Sequence, residues 1–235
     1  MTVVSTQSIK KVRNTVRVVP RLIFDLDGTI ADTQGPISRR ESLFFLRHGI
    51  HISPHKITRK YSGVSSTDMI PDVFRAYSKT FDDLDALCAE RWQFVSTIPD
   101  EEIVPVPGTV EAIHHWYKLT GPLAIASASR LEFIERVTRV LRIREHFGVI
   151  ASSHEVVRGK PAPDVFLLAA KRLGFSPSEC IVIEDGVAGM LAAQAAHMKC
   201  IALVRGGGGD YPADLVVDDL RKVTDTDLTK LLQRS

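Results

Sequence analysis

The sequence predicts an α/β fold, a doubly wound parallel sheet with an all-helical unit inserted directly after the first strand. Three observations carry this expectation. Short apolar runs of strand length alternate with amphipathic helical segments from Val104 onward, the pattern of a parallel sheet covered on both faces. Between Thr33 and Val104 the apolar spacing is helical throughout. The opening strand, Leu22-Ile23-Phe24, runs into Asp25-Leu26-Asp27-Gly28-Thr29, where a glycine and two carboxylates end the apolar run.

The chain has 235 residues, 44% hydrophobic and 25% charged, which suits a globular protein with one large domain or a domain carrying an insertion. The first twenty residues read as a basic extension. Lys10, Lys11, Arg13, Arg17 and Arg21 give residues 1–21 a charge of +5 with no acid, so the net +2 leaves −3 on the rest of the chain. The basic balance therefore lies in a tail and is no argument for nucleic-acid binding. The tail suits a disordered extension or an added edge strand, and its composition leaves organellar targeting open. No run approaches the length of a membrane span. Cys88, Cys180 and Cys200 lack metal-ligand spacing and form no disulfide framework, so they read as small buried residues of a protein in a reducing, cytoplasmic compartment.

After the first strand, helices are expected over 38–47, 65–77 and 84–95, punctuated by Pro54, Pro71 and Pro99. Residues 33–104 form the inserted cap; residues 21–32 and 105–235 form the α/β core. In the core, strands are expected at 123–126, 148–150, 180–183, 200–204 and 215–217. Helices are expected at 109–119, 131–141, 163–173, 187–197 and 220–232.

Residues two apart on an extended chain point the same way, so Asp25 and Asp27 face one spot at the strand's end. Two anions held that close need a cation between them, or one keeps its proton. The pattern serves either a divalent metal or a carboxylate nucleophile beside an acid. A calcium loop also alternates Asp before Gly, but its twelfth position here is Pro36, flanked by Gly35 and Ile37, and a strand precedes it instead of a helix.

Ligands of doubly wound sheets bind at the carboxyl ends of the strands. That rule gathers Asp25 and Asp27 after the first strand, Ser127, Ser129 and Arg130 after the second, Lys160 in GKPAPDVF, and Glu184 and Asp185 in IVIEDGVAG. Carboxylates for a hard cation, with a lysine and hydroxyls for phosphoryl oxygens, describe a magnesium-assisted phosphoryl-transfer site.

DLDGT, the Ser in IASAS, the lysine of KPAPDVF and the acids of IEDG, in this order, resemble the haloacid dehalogenase superfamily. The match is to its branch of phosphatases and β-phosphoglucomutase-like enzymes, with a Rossmann-like core and a helical cap. The resemblance implies Asp25 as nucleophile and Asp27 as acid and then base. It implies Mg²⁺ held by the Asp25 side chain, the Asp27 backbone carbonyl and Asp185, with Glu184 as ligand or support. Ser127 and Lys160 would hold phosphoryl oxygens, Lys160 also steadying Asp25, and Thr29, Ala128, Ser129 and Arg130 would complete the phosphate and substrate contacts. Tyr61, Gly63, Val64, Ser65 and Ser66 would form the cap's substrate loop.

Blander roles stand beside these. Ser127 and Ser129 can cap the following helix, and Arg130 can be ordinary surface charge. Asp164 reads as a loop brace, and RGGGGD (205–210) as a loop, since it lacks a P-loop Lys-Ser/Thr. The eight histidines show no zinc spacing.

Asp27 disfavours dehalogenase and phosphonate-hydrolase chemistry, in whose enzymes this acid is absent. The mutase alternative is weakened because its cap histidine and cap arginine align with Ile37 and Ser66. A catalytically silent phosphate-binding protein is the other alternative, and intact Asp25 and Lys160 speak against it. The expectation is a phosphatase for a small phosphorylated metabolite (a sugar phosphate, polyol phosphate or phosphoglycolate), without nucleic-acid or membrane partners, as a monomer or weak homodimer.

Overall fold

The computed structural model describes residues 19–206 and 209–233. Its centre is a six-stranded, all-parallel sheet of β1 (Arg21–Phe24), β2 (Leu123–Ser127), β3 (Phe147–Ser152), β4 (Cys180–Glu184), β5 (Lys199–Leu203) and β6 (Leu215–Val217). The spatial order is β3-β2-β1-β4-β5-β6, the Rossmann-type order, in which the direction of winding reverses beside β1.

Period-two alternation explains the layers. Leu22, Phe24, Leu123, Ile125, Ile181, Ile183, Ile201 and Leu203 point to one face, against α5 (Thr109–Thr120), α6 (Leu131–Val140) and α9 (Asp225–Gln233). Ile23, Ala124, Ala126, Cys180, Val182, Cys200 and Ala202 point to the other, against α7 (Asp164–Leu173) and α8 (Val187–Ala195). The second face is rich in alanine on both strands and helices, which lets α7 and α8 lie close to the sheet. Cys180 and Cys200 pack in this cluster and Cys88 in the cap, all three as free buried thiols.

Between β1 and β2 come α1 (Gln34–Arg47), α2 (Pro54–Tyr61), α3 (Ser66–Ala76) and α4 (Leu84–Ser96), gathered around their own apolar cluster of Phe44, Phe45, Ile57, Met69, Val73 and Phe74. This insertion leaves and re-enters the core at one place. The Asp32 amide donates to the Val104 carbonyl at 2.8 Å, and Ala31 pairs with Pro105. Val95, Ile98 and Ile103, within the expected cap, pack into the sheet-side cluster and tie the last cap helix to the core.

Several details differ from the sequence reading. Helix α2 begins where Pro54 was expected to interrupt the helices: Ser53 accepts from the Lys56 amide as N-cap and Pro54 takes the first helical position, where a missing N–H costs nothing. Pro71 lies inside α3, within the helix expected over 65–77. The last helix starts at Asp225, because Thr224 and Asp227 exchange side-chain-to-backbone hydrogen bonds that form a fresh N-terminus. Residues 1–18 of the basic extension, and Gly207 and Gly208 of the RGGGGD stretch, lie outside the described residues. No helix among the described residues is long and apolar enough to cross a membrane.

Candidate active site

The first site residue is placed by β1. The Asp25 amide donates to the Ile183 carbonyl of β4 at 2.9 Å, so its side chain emerges at the carboxyl edge between these two strands. The chain then turns tightly, with the Ile30 and Ala31 amides both donating to the Leu26 carbonyl. The turn requires Gly28, which has φ +96°; a Cβ there would stand 2.2 Å from Asp185 Oδ2.

Lys160 reaches this edge from the loop before α7 and is fully buried. Its Nζ donates to Asp25 Oδ1 at 2.5 Å and to Glu184 Oε1 at 2.8 Å. Glu184, the last residue of β4, also accepts the Gly186 amide on Oε2 at 2.7 Å, so both its oxygens are committed. Room for it comes from Gly189, where a Cβ would fall 1.6 Å from Oε1. Asp185 accepts from Thr29 Oγ1 (3.2 Å) and from Gln34 Nε2 (2.8 Å). The same Gln34 nitrogen donates to the Asp27 backbone carbonyl at 2.8 Å, while Ser62 of the cap donates to Gln34 Oε1.

Asp27 is held from two sides, by Thr33 Oγ1 on Oδ1 (2.5 Å) and Ser129 Oγ on Oδ2 (2.6 Å). Ser129 is in turn fixed by its amide donating to Ser127 Oγ at 3.0 Å. Neither serine caps α6, whose N-cap is Arg130. Arg130 is half-buried over the Trp92 ring at 5.4 Å and has no ion-pair partner among the described residues. Asp164 accepts a two-pronged contact from Arg158, as a loop brace would.

One ammonium faces four carboxylates here, bonded to Asp25 and Glu184 with Asp27 and Asp185 beside them, and the electrostatics follow. Burial pushes Asp25 up to about 8, with Glu184 and Asp27 adding to the rise against the pull of Lys160. Burial also raises Asp185, reinforced by Glu184 and Asp25. Burial raises Asp27 too, tempered by the hydrogen bonds from Ser129 and Thr33. For Lys160, burial works against the charge, but Asp25 and Glu184 outweigh it and raise its pKa. The pocket is short of positive charge, which is the condition a divalent cation relieves. Oxygens of Asp25, Glu184 and Asp185 lie within 4.8 Å of one another, a hard-oxygen set that fits Mg²⁺.

Asp25, Asp27, Gly63, Ser66, Ala128, Ser129 and Arg130 line one cleft of about 700 Å³, mouth included, between core and cap. Ser127 and Lys160 lie buried beside it. Two expected contacts fall elsewhere. Thr29 is fully buried and steadies Asp185 instead of facing the cleft. Ser65 caps α3 by accepting the Asp68 amide, and packs close to Gly159.

Polar cleft residues that escaped the sequence reading include Gln34, Ser38, Glu41, Ser62 and Arg91, and Thr33, buried beside the cleft, braces Asp27. Gln34, Ser38 and Glu41 recur at helical spacing along α1 and all face the cleft, a polar stripe that was a usable signal. Arg91 meets Glu41 across fifty positions of sequence, for which spacing gives no cue.

Comparison with known proteins agrees with this architecture. The family model for haloacid dehalogenase-like hydrolases matches residues 22–203. Hexitol phosphatase A of Escherichia coli (strain K12) is 30% identical over 210 residues, spanning 87% of this chain and 93% of that protein. Fructose-1-phosphate phosphatase YqaB of the same organism is 32% identical over 181 residues, 77% of this chain and 94% of its own. The crystal structure of β-phosphoglucomutase from Clostridium difficile superposes with a TM-score of 0.77 at 25% identity, covering 92% of this chain and 97% of that one. The chain belongs to the haloacid dehalogenase-like hydrolase family, in its helical-capped branch of phosphatases and phosphoglucomutase-like proteins. It is an enzyme of the phosphatase kind.

Proposed function

We propose that the protein is a Mg²⁺-dependent phosphatase that hydrolyses a small sugar or polyol phosphate through a phosphorylated Asp25. The observation that carries this reading is the buried Lys160 Nζ on Asp25 Oδ1 at 2.5 Å. It fixes one oxygen of the carboxylate and leaves Oδ2 to attack phosphorus.

In the first half-reaction Asp25 Oδ2 forms a bond to phosphorus as the ester P–O bond breaks, and Asp27 gives its proton to the departing alkoxide. The raised pKa of Asp27 favours its carrying that proton, and Ser129 and Thr33 aim it. In the second, a water attacks phosphorus, Asp27 takes the water's proton, and the Asp25–phosphorus bond breaks to release inorganic phosphate. Ser127 and Lys160 supply donors to the phosphoryl oxygens. Asp25, Asp185 and the Asp27 carbonyl would hold Mg²⁺, with Glu184 bracing from behind through Lys160 and Gly186; the Gln34 amide, now on Asp27 and Asp185, would yield to it. The ion supplies charge neutralisation at the phosphoryl group.

Residues 33–104 act as the cap and residues 21–32 with 105–235 as the core, the cleft between them admitting small substrates and shielding the intermediate. The relatives named for hexitol and fructose-1-phosphate support a polyhydroxylated substrate class. A phosphomutase is the second reading, prompted by the likeness to β-phosphoglucomutase. Against it, the two cleft positions where a mutase would offer histidine and arginine hold Ile37 and Ser66. The test is release of phosphate from p-nitrophenyl phosphate with Mg²⁺, abolished by EDTA and reduced at least ~10³-fold in Asp25→Asn. Conversion of β-glucose 1-phosphate to glucose 6-phosphate without phosphate release would favour the mutase.

A further inference from the structure

The cap side of the cleft carries a constellation that the phosphoryl chemistry does not use. Glu41 on α1, Ser66 at the start of α3 and Arg91 on α4 converge from three helices, and all line the cleft that holds Asp25 and Asp27. Arg91 donates through Nε (2.9 Å) and Nη2 to Glu41 Oε1, and through Nη1 to Ser66 Oγ (2.9 Å). Glu41 is 4% exposed. Both bonds from Arg91 fall on Oε1, so Oε2 has no hydrogen-bond partner among the described residues. Glu41 lines the cleft, so this oxygen, without a protein donor, stands ready to accept one from a bound molecule while Oε1 is held by Arg91.

We propose that Glu41 is a specificity-determining residue: its Oε2 accepts a hydrogen bond from a hydroxyl on the substrate's alcohol portion, while Arg91 and Ser66 hold the carboxylate in place. The proposal rests on the phosphatase reading and narrows it. A hydroxyl is a neutral donor that satisfies the carboxylate, whereas a second phosphate or a carboxylate would meet it as like charge. The substrate class is therefore a phosphate monoester of a neutral polyhydroxy compound, and bisphosphates and phosphorylated acids are disfavoured.

The test compares full-length wild type and Glu41→Gln on sorbitol 6-phosphate, hexyl phosphate and fructose 1,6-bisphosphate, with p-nitrophenyl phosphate as reporter of the chemistry. One charged hydrogen bond corresponds to about ten- to hundredfold in kcat/KM. Wild type should favour sorbitol 6-phosphate over hexyl phosphate by at least that factor. Glu41→Gln should lose most of this ratio, chiefly through KM. Equal losses on both esters, no hydroxyl preference in wild type, or preference for the bisphosphate (led by Arg130) would overturn the proposal. Should Glu41→Gln fail to fold, the wild-type series decides alone. If no ester is hydrolysed, p-nitrophenyl phosphate included, the phosphatase reading fails instead. Calorimetric binding of sorbitol 6-phosphate and hexyl phosphate then decides the role of Glu41, equal affinities overturning it.

Discussion

Replacing Lys160 with methionine removes one charge and little volume, so the response isolates the ammonium. At 2.5 and 2.8 Å from Asp25 and Glu184, it gains about 6 kcal/mol from each at an effective dielectric constant of ~20. Desolvation of the three buried ions offsets most of that. Removing one member of a buried ionic cluster typically costs ~3–5 kcal/mol, because the remaining charges stay buried without a partner. For a chain of this length that loss corresponds to a fall in Tm of roughly 6–20 °C. Protons can take over part of the missing charge by neutralising the carboxylates, so the fall should be larger at pH 8 than at pH 5. Calorimetric melting of wild type and Lys160→Met in EDTA at both pH values measures this directly. A fall under ~2 °C at pH 8, or equal falls at the two pH values, would refute the account of Lys160 as the counter-charge of the site.

Asp27→Ala should reduce turnover ~10²–10⁴-fold by removing the proton donor, whereas Ser129→Ala, which deletes one hydrogen bond to it, should cost only about tenfold; equal losses in steady-state kinetics would overturn the assignment. Gly189→Ala drives a methyl into Glu184, so it should destabilise by ~1–3 kcal/mol and raise the Mg²⁺ concentration for half-maximal activity; a variant unchanged in both Tm and Mg²⁺ response contradicts the bracing role of Glu184. Asp25, Asp27 and Asp185 bind protons more tightly folded than unfolded, so their own contribution to metal-free stability is greatest at low pH and declines from the ordinary carboxylate range up to about pH 8, opposite to ion-paired carboxylates such as Asp32 and Asp164. Mg²⁺ should offset that decline, so the gain in Tm on adding Mg²⁺ should grow from pH 5 to pH 8, and a gain that does not grow would contradict the raised values.

The sheet was legible because each strand carries a period-two code with both faces apolar, so alternation alone separates Leu22 and Phe24 from Ile23. The candidate site was legible for a related reason: Asp25 and Glu184 sit at the ends of β1 and β4, which are local features, and Lys160 stands in a Pro-rich stretch just before α7. What escaped is non-local or ambiguous in one dimension. Pro54 breaks a helix or begins one depending on whether Ser53 caps, and sequence alone weighted the break. Thr29 adjoins the acidic motif, which suggested substrate contact, but the turn at Gly28 points it inward to Asp185. The bond between Arg91 and Glu41 depends on how α1 and α4 pack, and their helical periods do not encode it.

The close approach of Asp32 and Val104 makes the lid, seen from the sheet, the equivalent of a hairpin tip. Closure entropy grows only logarithmically with the length of chain so enclosed, about 0.6 kcal/mol per doubling. Helices α1 to α3 could be lengthened or shortened beyond that clasp without disturbing register in the strands beneath, provided α4 keeps the face that carries Val95 into the core. A foreign lid grafted between Ala31 and Pro105 would therefore have to bring its own apolar face to replace Val95, Ile98 and Ile103 on the sheet-side cluster.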